Sequence, residues 1–444
     1  MISAHLLRRL PQGYRPLFAH RPFRRLLPAL ALSDLGDGMS VVAVAWLAVQ
    51  ISPPGARGPL IGAATAAYIL PGAVGALLLG RRLRSLPAHR LIRANAWTRA
   101  LFLGCIPLAW ALGALRPAVY LTLLAGSSLL HAWGGSAKYA LAAQALPAEQ
   151  HLAANALLST STWVSTILGP ALAGVLAVAV APAWIIGLDA LSFAALALQA
   201  TRLGEPDTPV PAGPVPDARP ADVLRLLRNR PELLGLLAVT WLFNLFYGPV
   251  EVALPLFVAQ DLHAGAGTLG LYWAAFGLGA VTGALAVGAL RTLALWPVLL
   301  GIIAGHGLAM LPFGLHAPVV FSLGGFALGG VIYGPYSALA FKAFQDHTPA
   351  TLLTAVLALR ASVLLTASPV GAALGGPLTT AVGPREVLTG TGVAMLLVAA
   401  CAAALWTYGV RRPAPGQRLR RSGWRATAPR GARLEGAEAA DGDR

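Results

Sequence analysis

The sequence predicts an all-α integral membrane protein of twelve transmembrane helices in two six-helix, pseudo-symmetric halves. Of its 444 residues, 57% are hydrophobic and 11% charged, against about 25% charged in an ordinary soluble domain. The chain divides into apolar runs long enough to cross about 30 Å of hydrocarbon. A proline-rich interruption separates the sixth run from the seventh, and stretches on its two sides repeat. An open sheet would leave edges that lipid cannot satisfy, and no ten-residue alternation suggests a barrel.

The twelve spans are 27–50, 59–80, 91–115, 117–140, 153–179, 182–200, 233–257, 268–290, 293–314, 318–341, 352–377 and 386–409. Glycine and proline in 53–58, 203–220 and 311–317 mark breaks between them. The cut gives a cytoplasmic segment at 1–26, a six-helix bundle at 27–200, a linker at 201–231, a second bundle at 232–410 and a tail at 411–444.

Orientation follows from the 33 lysines and arginines. With the N-terminus inside, the inner side collects Arg8, Arg9, Arg15, Arg21, Arg24 and Arg25, then Arg81, Arg82, Arg84, Arg90 and Arg93. Arg202, Arg219, Arg225, Arg228, Arg230, Arg291, Lys342 and the tail join them, and only Arg57, Arg116 and Arg385 fall outside. Positive charge stays on the cytoplasmic face, so both termini are expected in the cytoplasm of a cell (inner) membrane protein. The net charge of +16 then reports topology rather than nucleic-acid binding.

Three segments lie outside the bilayer. "GEPDTPVPAGPVPDARPA", 204–221, reads as an extended linker. "DVLRLLRNRPELL" mixes leucine with arginine and reads as a short helix on the inner surface. The basic-then-acidic tail from 411 has little to bury and is expected to be disordered.

Chemistry has little to stand on. Met1 to Gly13 is polar and basic, and the first apolar run is too long for a cleavable signal. Cys105 and Cys401 fall in separate spans, so no disulfide framework follows. There is no CxxC, HExxH, GxSxG or Walker loop. No enzyme activity, metal or cofactor is expected, and the missing nucleotide loop counts against a primary pump.

"AAYILPGAVGALLLG" (66–80) aligns without gaps on "AAFGLGAVTGALAVG" (274–288), with Gly75 on Gly283 and Gly80 on Gly288. Two halves related by an axis along the membrane normal place a cavity between them. Several stretches then carry a resemblance. "ALPAEQHLAANALLSTSTWVSTILGPALAGVL", "PAWIIGLDALSFAALAL", "RNRPELLGLLAVTWLFNLFYGPVEVALPLFV" and "SDLGDGM" are similar to the major facilitator superfamily. The similarity is to its branch of macrolide-efflux and enterobactin-export proteins, from about Phe23 to Tyr408. The resemblance implies the major facilitator fold and transport of a small molecule.

Within it, the fifth span resembles the superfamily's exporter motif as Ser165-x-x-x-Gly169-Pro170-x-x-Ala173-Gly174, with Ser165 and Ala173 in place of glycines. Small residues at this spacing let helices approach closely, and Pro170 bends the backbone. The resemblance ties the motif to export; a generic packing face is the plainer reading. One departure concerns the gate. Between the second and third spans the family pattern carries an aspartate, and "GRRLRSLPAHR" keeps Gly80 but has Arg84 in its place. Arginine only donates and a carboxylate only accepts, so the partners must differ. The loop between spans ten and eleven, "HTPATLLTAV", lacks the usual Gly-Arg.

"SDLGDGMS" places two acids inside the first span. A carboxylate at the bilayer centre costs about 2.5 to 3.5 kcal/mol, so a role is expected. Asp37 lies about 15 Å from the span's start, near the midplane, where transporters of this plan bind cargo and coupling ion. Desolvation there disfavours the charged form, which lets an acid take and release a proton. One reading makes Asp37 the proton carrier and Asp34 a relay or cation contact. The other makes either aspartate half of a fixed ion pair with Arg99 or Arg360.

Asp189 is expected to pack the sixth span by hydrogen bonds, and Glu251, after Gly248-Pro249, to form an outer gate or a helix end. His131 and His306 either titrate in the cavity or stay neutral and hydrogen-bonded. Trp46, Trp241, Asn244, Tyr247, Tyr333 and Tyr336 suit an amphipathic cavity, or the interfacial belts. Together these readings predict a monomeric secondary transporter coupled to protons, exporting a hydrophobic or amphipathic compound. The alternatives are a scaffold or sensor with a degenerate gate, for which Arg84 speaks, and an importer, against which the Gly169-Pro170 pattern counts.

Overall fold

Apolar sequence in lipid must close its backbone hydrogen bonds within each segment, and the computed structural model is helical throughout, with no strand among the described residues. These are residues 15–53, 55–78, 86–202, 220–287 and 293–411. The expectations for the N-terminal arginines before Arg15, for Gly80 and Arg84, for the linker at 203–219, for Arg291 and for the tail lie outside them.

The first half comprises α1 (Arg21–Ile51), α2 (Arg57–Leu78), α3 (Ala88–Ala111), α4 (Pro117–Ser128), α5 (His131–Ala145), α6 (His151–Leu176) and α7 (Pro182–Arg202). A short α8 (Pro220–Asn229) leads to the second half. That half comprises α9 (Pro231–Leu256), α10 (Ala266–Leu285), α11 (Leu295–Met310), α12 (Val319–Tyr333), α13 (Tyr336–His347), α14 (Ala350–Val382) and α15 (Pro384–Arg411). Proline opens α4, α7, α8, α9 and α15, where its missing N–H costs nothing and its φ is already helical. The described residues up to Ala400 make one compact unit.

Among the described residues, ten helical segments are long and apolar enough to cross a membrane by length and composition. The remaining two spans are α3, which carries Arg90, Arg93 and Arg99, and the pair α4–α5. The fourth span was expected as one helix over 117–140 and is broken at Leu129–Leu130. Hydroxyls next to the break compete for backbone carbonyls: Ser127 Oγ donates to Leu124 O at 2.7 Å, and Ser128 Oγ to Ala67 O of α2 at 3.0 Å. The tenth span is interrupted in the corresponding place, at Gly334–Pro335 between α12 and α13.

Within each half the packing repeats. α1 packs on α6 as α9 packs on α14, and α2 on α4 as α10 on α12. The halves meet where α2 lies on α14 and α6 on α10, two crossings that the repeat exchanges. A methyl built on Gly174 of α6 would fall 2.6 Å from Gly270 Cα of α10, and one on Gly62 of α2 would fall 2.6 Å from Ala372 O of α14. Backbone touches backbone there. Since successive spans run antiparallel, Gly62, Gly174, Gly270 and Ala372 all lie toward the end away from α8 and the N-terminus.

The short α8 follows its amphipathic sequence. Val223 and Leu227 are buried while Leu224 and the arginines are exposed, and the helix packs on α9 and α14.

Candidate functional site

The first span carries its two acids one turn apart, and the fold gives each a separate set of partners. Asp37 sits at the middle of α1, and Tyr68 and Arg99 sit at the middles of α2 and α3. One Arg99 Nη2 donates to Asp37 Oδ1 in an ion pair and also to the Tyr68 hydroxyl. Tyr68 OH in turn donates to Asp37 Oδ1 at 2.8 Å. The guanidinium lies over the Phe193 ring, 4.4 Å from its centroid, and is fully buried, while the Asp37 side chain is 28% exposed. The other Arg99 nitrogen, Nη1, is 2.7 Å from His131 Nδ1. His131 is the first residue of α5, so the break in the fourth span sets this contact.

Asp189 of α7 completes the cluster. It is fully buried, and Ser40 Oγ of α1 donates to its Oδ2 at 2.6 Å. Tyr68 OH stands 3.5 Å from the same oxygen. So Asp189 ties α7 to α1 and α2 rather than only packing its own span.

Asp34, one turn earlier, takes Lys138 Nζ of α5 at 3.1 Å, with Ser161 Oγ and Thr162 Oγ1 of α6 at 3.1 and 3.2 Å. Its expected cation contact is therefore Lys138. Sequence reasoning passed over Lys138 and Tyr68. The available signal for the first was simple, because the lysines of this arginine-rich chain are Lys138 and Lys342, and Lys138 falls within a span.

Of the two partners named for Asp37, Arg99 is the one in place. Arg360 lies on α14 in the other half, over the rings of Phe344 and Phe341 at 5.4 and 5.9 Å. Aromatic faces attract a cation, which accounts for an arginine here without an acid.

The exporter-like motif divides its small residues between two partners. Gly169, with the Ser165 carbonyl, packs on Gly38 of α1 within the half, whereas Gly174 faces Gly270 across to the other half. Ala173 is buried and Pro170 stands inside α6.

The second half offers a different interior. Phe243, Tyr247, Phe276 and Tyr333 surround His306 with ring centroids 5.6–6.2 Å away. His306 is fully buried, and its Nδ1 bonds Gly329 O at 3.1 Å. Tyr336, expected on a cavity wall, is 2% exposed and donates to Thr240 Oγ1 at 3.0 Å. Tyr247, Tyr333, Trp46, Trp241 and Asn244 are half-buried. Asn244 Nδ2 donates to Thr240 O, and Trp241 Nε1 to Thr366 Oγ1. Glu251 accepts from Ser368 Oγ of α14 at 2.8 Å.

Twelve spans in two packed halves, with ion-paired groups at mid-depth, define a polytopic membrane transporter. The chain belongs to the Major Facilitator Superfamily, whose family model matches residues 26–363. It is 29% identical over 399 residues to the multidrug efflux pump Tap of Mycobacterium tuberculosis, covering 85% of this chain and 90% of Tap. Identity to the enterobactin exporter EntS of Citrobacter koseri is 29% over 256 residues, 56% of this chain and 60% of EntS.

Among solved structures, a bacterial homologue of the lysosomal transporter Spinster, inward-facing and unoccupied, superposes with a TM-score of 0.66 at 12% identity. That match covers 90% of this chain and 98% of the homologue. A D-xylose–proton symporter gives 0.64 at 13%, over 85% and 96%. At these identities the structural likeness shows the fold alone. Family and relatives are transporters, not enzymes.

Proposed function

We propose that this protein is a proton-coupled exporter of a hydrophobic or amphipathic small molecule, working as a monomer by alternating access in the cell membrane. The observation that carries the reading is the buried Asp37–Arg99–Tyr68 cluster at the middles of α1, α2 and α3. A buried ion pair is weak evidence for stability, since apolar packing of the same volume does as well or better. Charges retained at the midplane of a membrane bundle mark a transport or proton path by default. Asp37 keeps a partly exposed face through which a proton can come and go.

The close crossings of α2 on α14 and α6 on α10 support a conformation closed at one end. With arginine-rich loops inside, that end is the outer one, and both termini and the linker are cytoplasmic. The bundles at 27–200 and 232–410 are then the two bodies that rock about the cavity. Drug-efflux and siderophore-export relatives support outward movement of a compound of that character.

The test is efflux from proteoliposomes, with ethidium as probe dye, with and without an imposed pH gradient. Gradient-driven efflux by the wild type and its loss in Asp37→Asn are expected. Efflux that proceeds equally without a gradient, or survives in a well-expressed Asp37→Asn, removes the coupling role.

A further inference from the structure

The first-half cluster holds two carboxylates and one guanidinium. Arg99 gives its ion pair to Asp37. The groups bonded to the Asp189 carboxylate are neutral hydroxyls: Ser40 at 2.6 Å, Ser192 at 3.4 Å and Tyr68 at 3.5 Å. The charged groups that act on it are Asp37 of α1 and Arg99 of α3, the helices packed on α7, and Tyr68 of α2 stands 3.5 Å from its Oδ2. Lys138 is taken by Asp34, and His131 stands on the far side of Arg99. With both acids ionised the cluster carries a net charge of −1 in a site where an unpaired ion is costly. One added proton makes it neutral.

Geometry says where that proton belongs. Asp37 is partly exposed and paired, whereas Asp189 is fully buried. Gly36 lies so close that any side chain there would meet Asp189 Oδ1. We propose that in this conformation the cluster carries one proton, that it sits on Asp189, and that Tyr68 relays it to and from Asp37. The inference rests on the proton-coupled reading above for its role in transport, but not for the location of the proton.

The hydrogen-bond count closes in this form. Tyr68 oxygen accepts from Arg99 and from the protonated Asp189, while its own O–H donates to Asp37. In the relay step the Asp189 proton passes to the Tyr68 oxygen as the Tyr68 proton passes to Asp37 Oδ1. Tyr68 is left unchanged, Asp189 becomes the carboxylate and Asp37 the acid. Arg99 is then free to turn its guanidinium from Asp37 toward Asp189, and Asp37 can release the proton through its exposed face. A two-state charge pair of this kind gives each conformation of the half a different protonated acid.

The test is pH-difference infrared spectroscopy on the purified full-length protein, with no cargo present. It is run in the Glu251→Gln background, because the Glu251 carboxyl is also bonded only to a hydroxyl. A protonated-carboxyl band at neutral pH is expected, and it should vanish in Asp189→Asn. Asp37→Asn removes the negative charge that the proton offsets and frees Arg99 for Asp189, so the band should weaken there as well, and the site of the proton is read from Ser40→Ala. Ser40→Ala and Tyr68→Phe each remove one hydrogen bond to Asp189 and should shift the band without removing it, which keeps the assignment testable if Asp189→Asn misfolds. A band that survives Asp189→Asn or is untouched by Ser40→Ala would overturn the proposal, as would no band at all. Ethidium efflux by the same preparations is scored separately. A wild type that ignores the pH gradient but shows the Asp189 band would defeat proton coupling and leave the proton's location standing.

Discussion

The two halves repeat a helix plan and fill it with different chemistry. Between α1, α2, α3 and α7 the first half buries a guanidinium, two carboxylates and a tyrosine hydroxyl. At mid-depth among α9, α10, α11 and α12 the second half gathers edge-on and tilted rings about His306. Charged networks are sensitive because each member's removal strands another. Aromatic packing is tolerant by comparison, since a ring replaced by a ring keeps most contacts. One half is therefore suited to a switch that titrates, and the other to a surface that accommodates apolar cargo.

The largest effect to break this comparison is expected from Arg99→Gln. It leaves Asp37 without its cation, a loss of about 3 to 5 kcal/mol for a broken buried pair. Membrane expression and thermal stability should collapse, and Asp37→Asn in the same chain should restore much of both. Wild-type melting of the single variant would show that Arg99 is not the counter-ion.

Next in size is Gly169→Leu, which forces α6 off Gly38 within the half. Overpacking of this kind costs about 1 to 3 kcal/mol. Gly174→Leu makes an informative pair with it, because that glycine faces the other half. The variant should insert and melt normally yet fail to close the α6–α10 crossing. Spin-label distances between α2 and α14 near Gly62 and Ala372 should lengthen in Gly174→Leu; unchanged distances would detach the motif from closure.

In the aromatic half the expected change is smaller. His306→Phe keeps a ring among rings and removes the bond from Nδ1 to Gly329 O together with Nε2, which has no hydrogen-bond partner. Stability should move by less than about 1.5 kcal/mol. A collapse comparable to Arg99→Gln would mean that the second half also depends on a polar contact.

The smallest effect on stability is expected from Lys138→Met. Asp34 keeps Ser161 and Thr162 as donors once the cation is gone, so the loss should fall well short of that of Arg99→Gln. Efflux should fall further than stability does, and equal changes in the two would mark the pair as merely structural.

Helix positions were legible because lipid leaves one solution for backbone polar groups, so apolar length alone located the spans. Their ends were less so: α1 begins at Arg21 rather than 27, and α14 runs to Val382 rather than 377. Backbone bonding continues past the residues that hydropathy marks. The break at Leu129–Leu130 was not legible, because Ser127 and Ser128 read as small polar residues until Ala67 of another helix supplies an acceptor.

By itself the sequence determined the membrane class, the twelve spans, the two-half plan, the family and the importance of "SDLGDGMS". Composition, length and local motif carry those, and each is a property of neighbouring residues. Which cation meets which acid belonged to the tertiary structure alone. Either aspartate could equally have met Arg99 or Arg360 by type and depth, yet Asp37 met Arg99 and Asp34 met Lys138. The choice rests on contacts between residues 62 and 104 positions apart for the two pairs. No local pattern encodes such contacts, because helix rotation and inter-helix packing decide which faces meet.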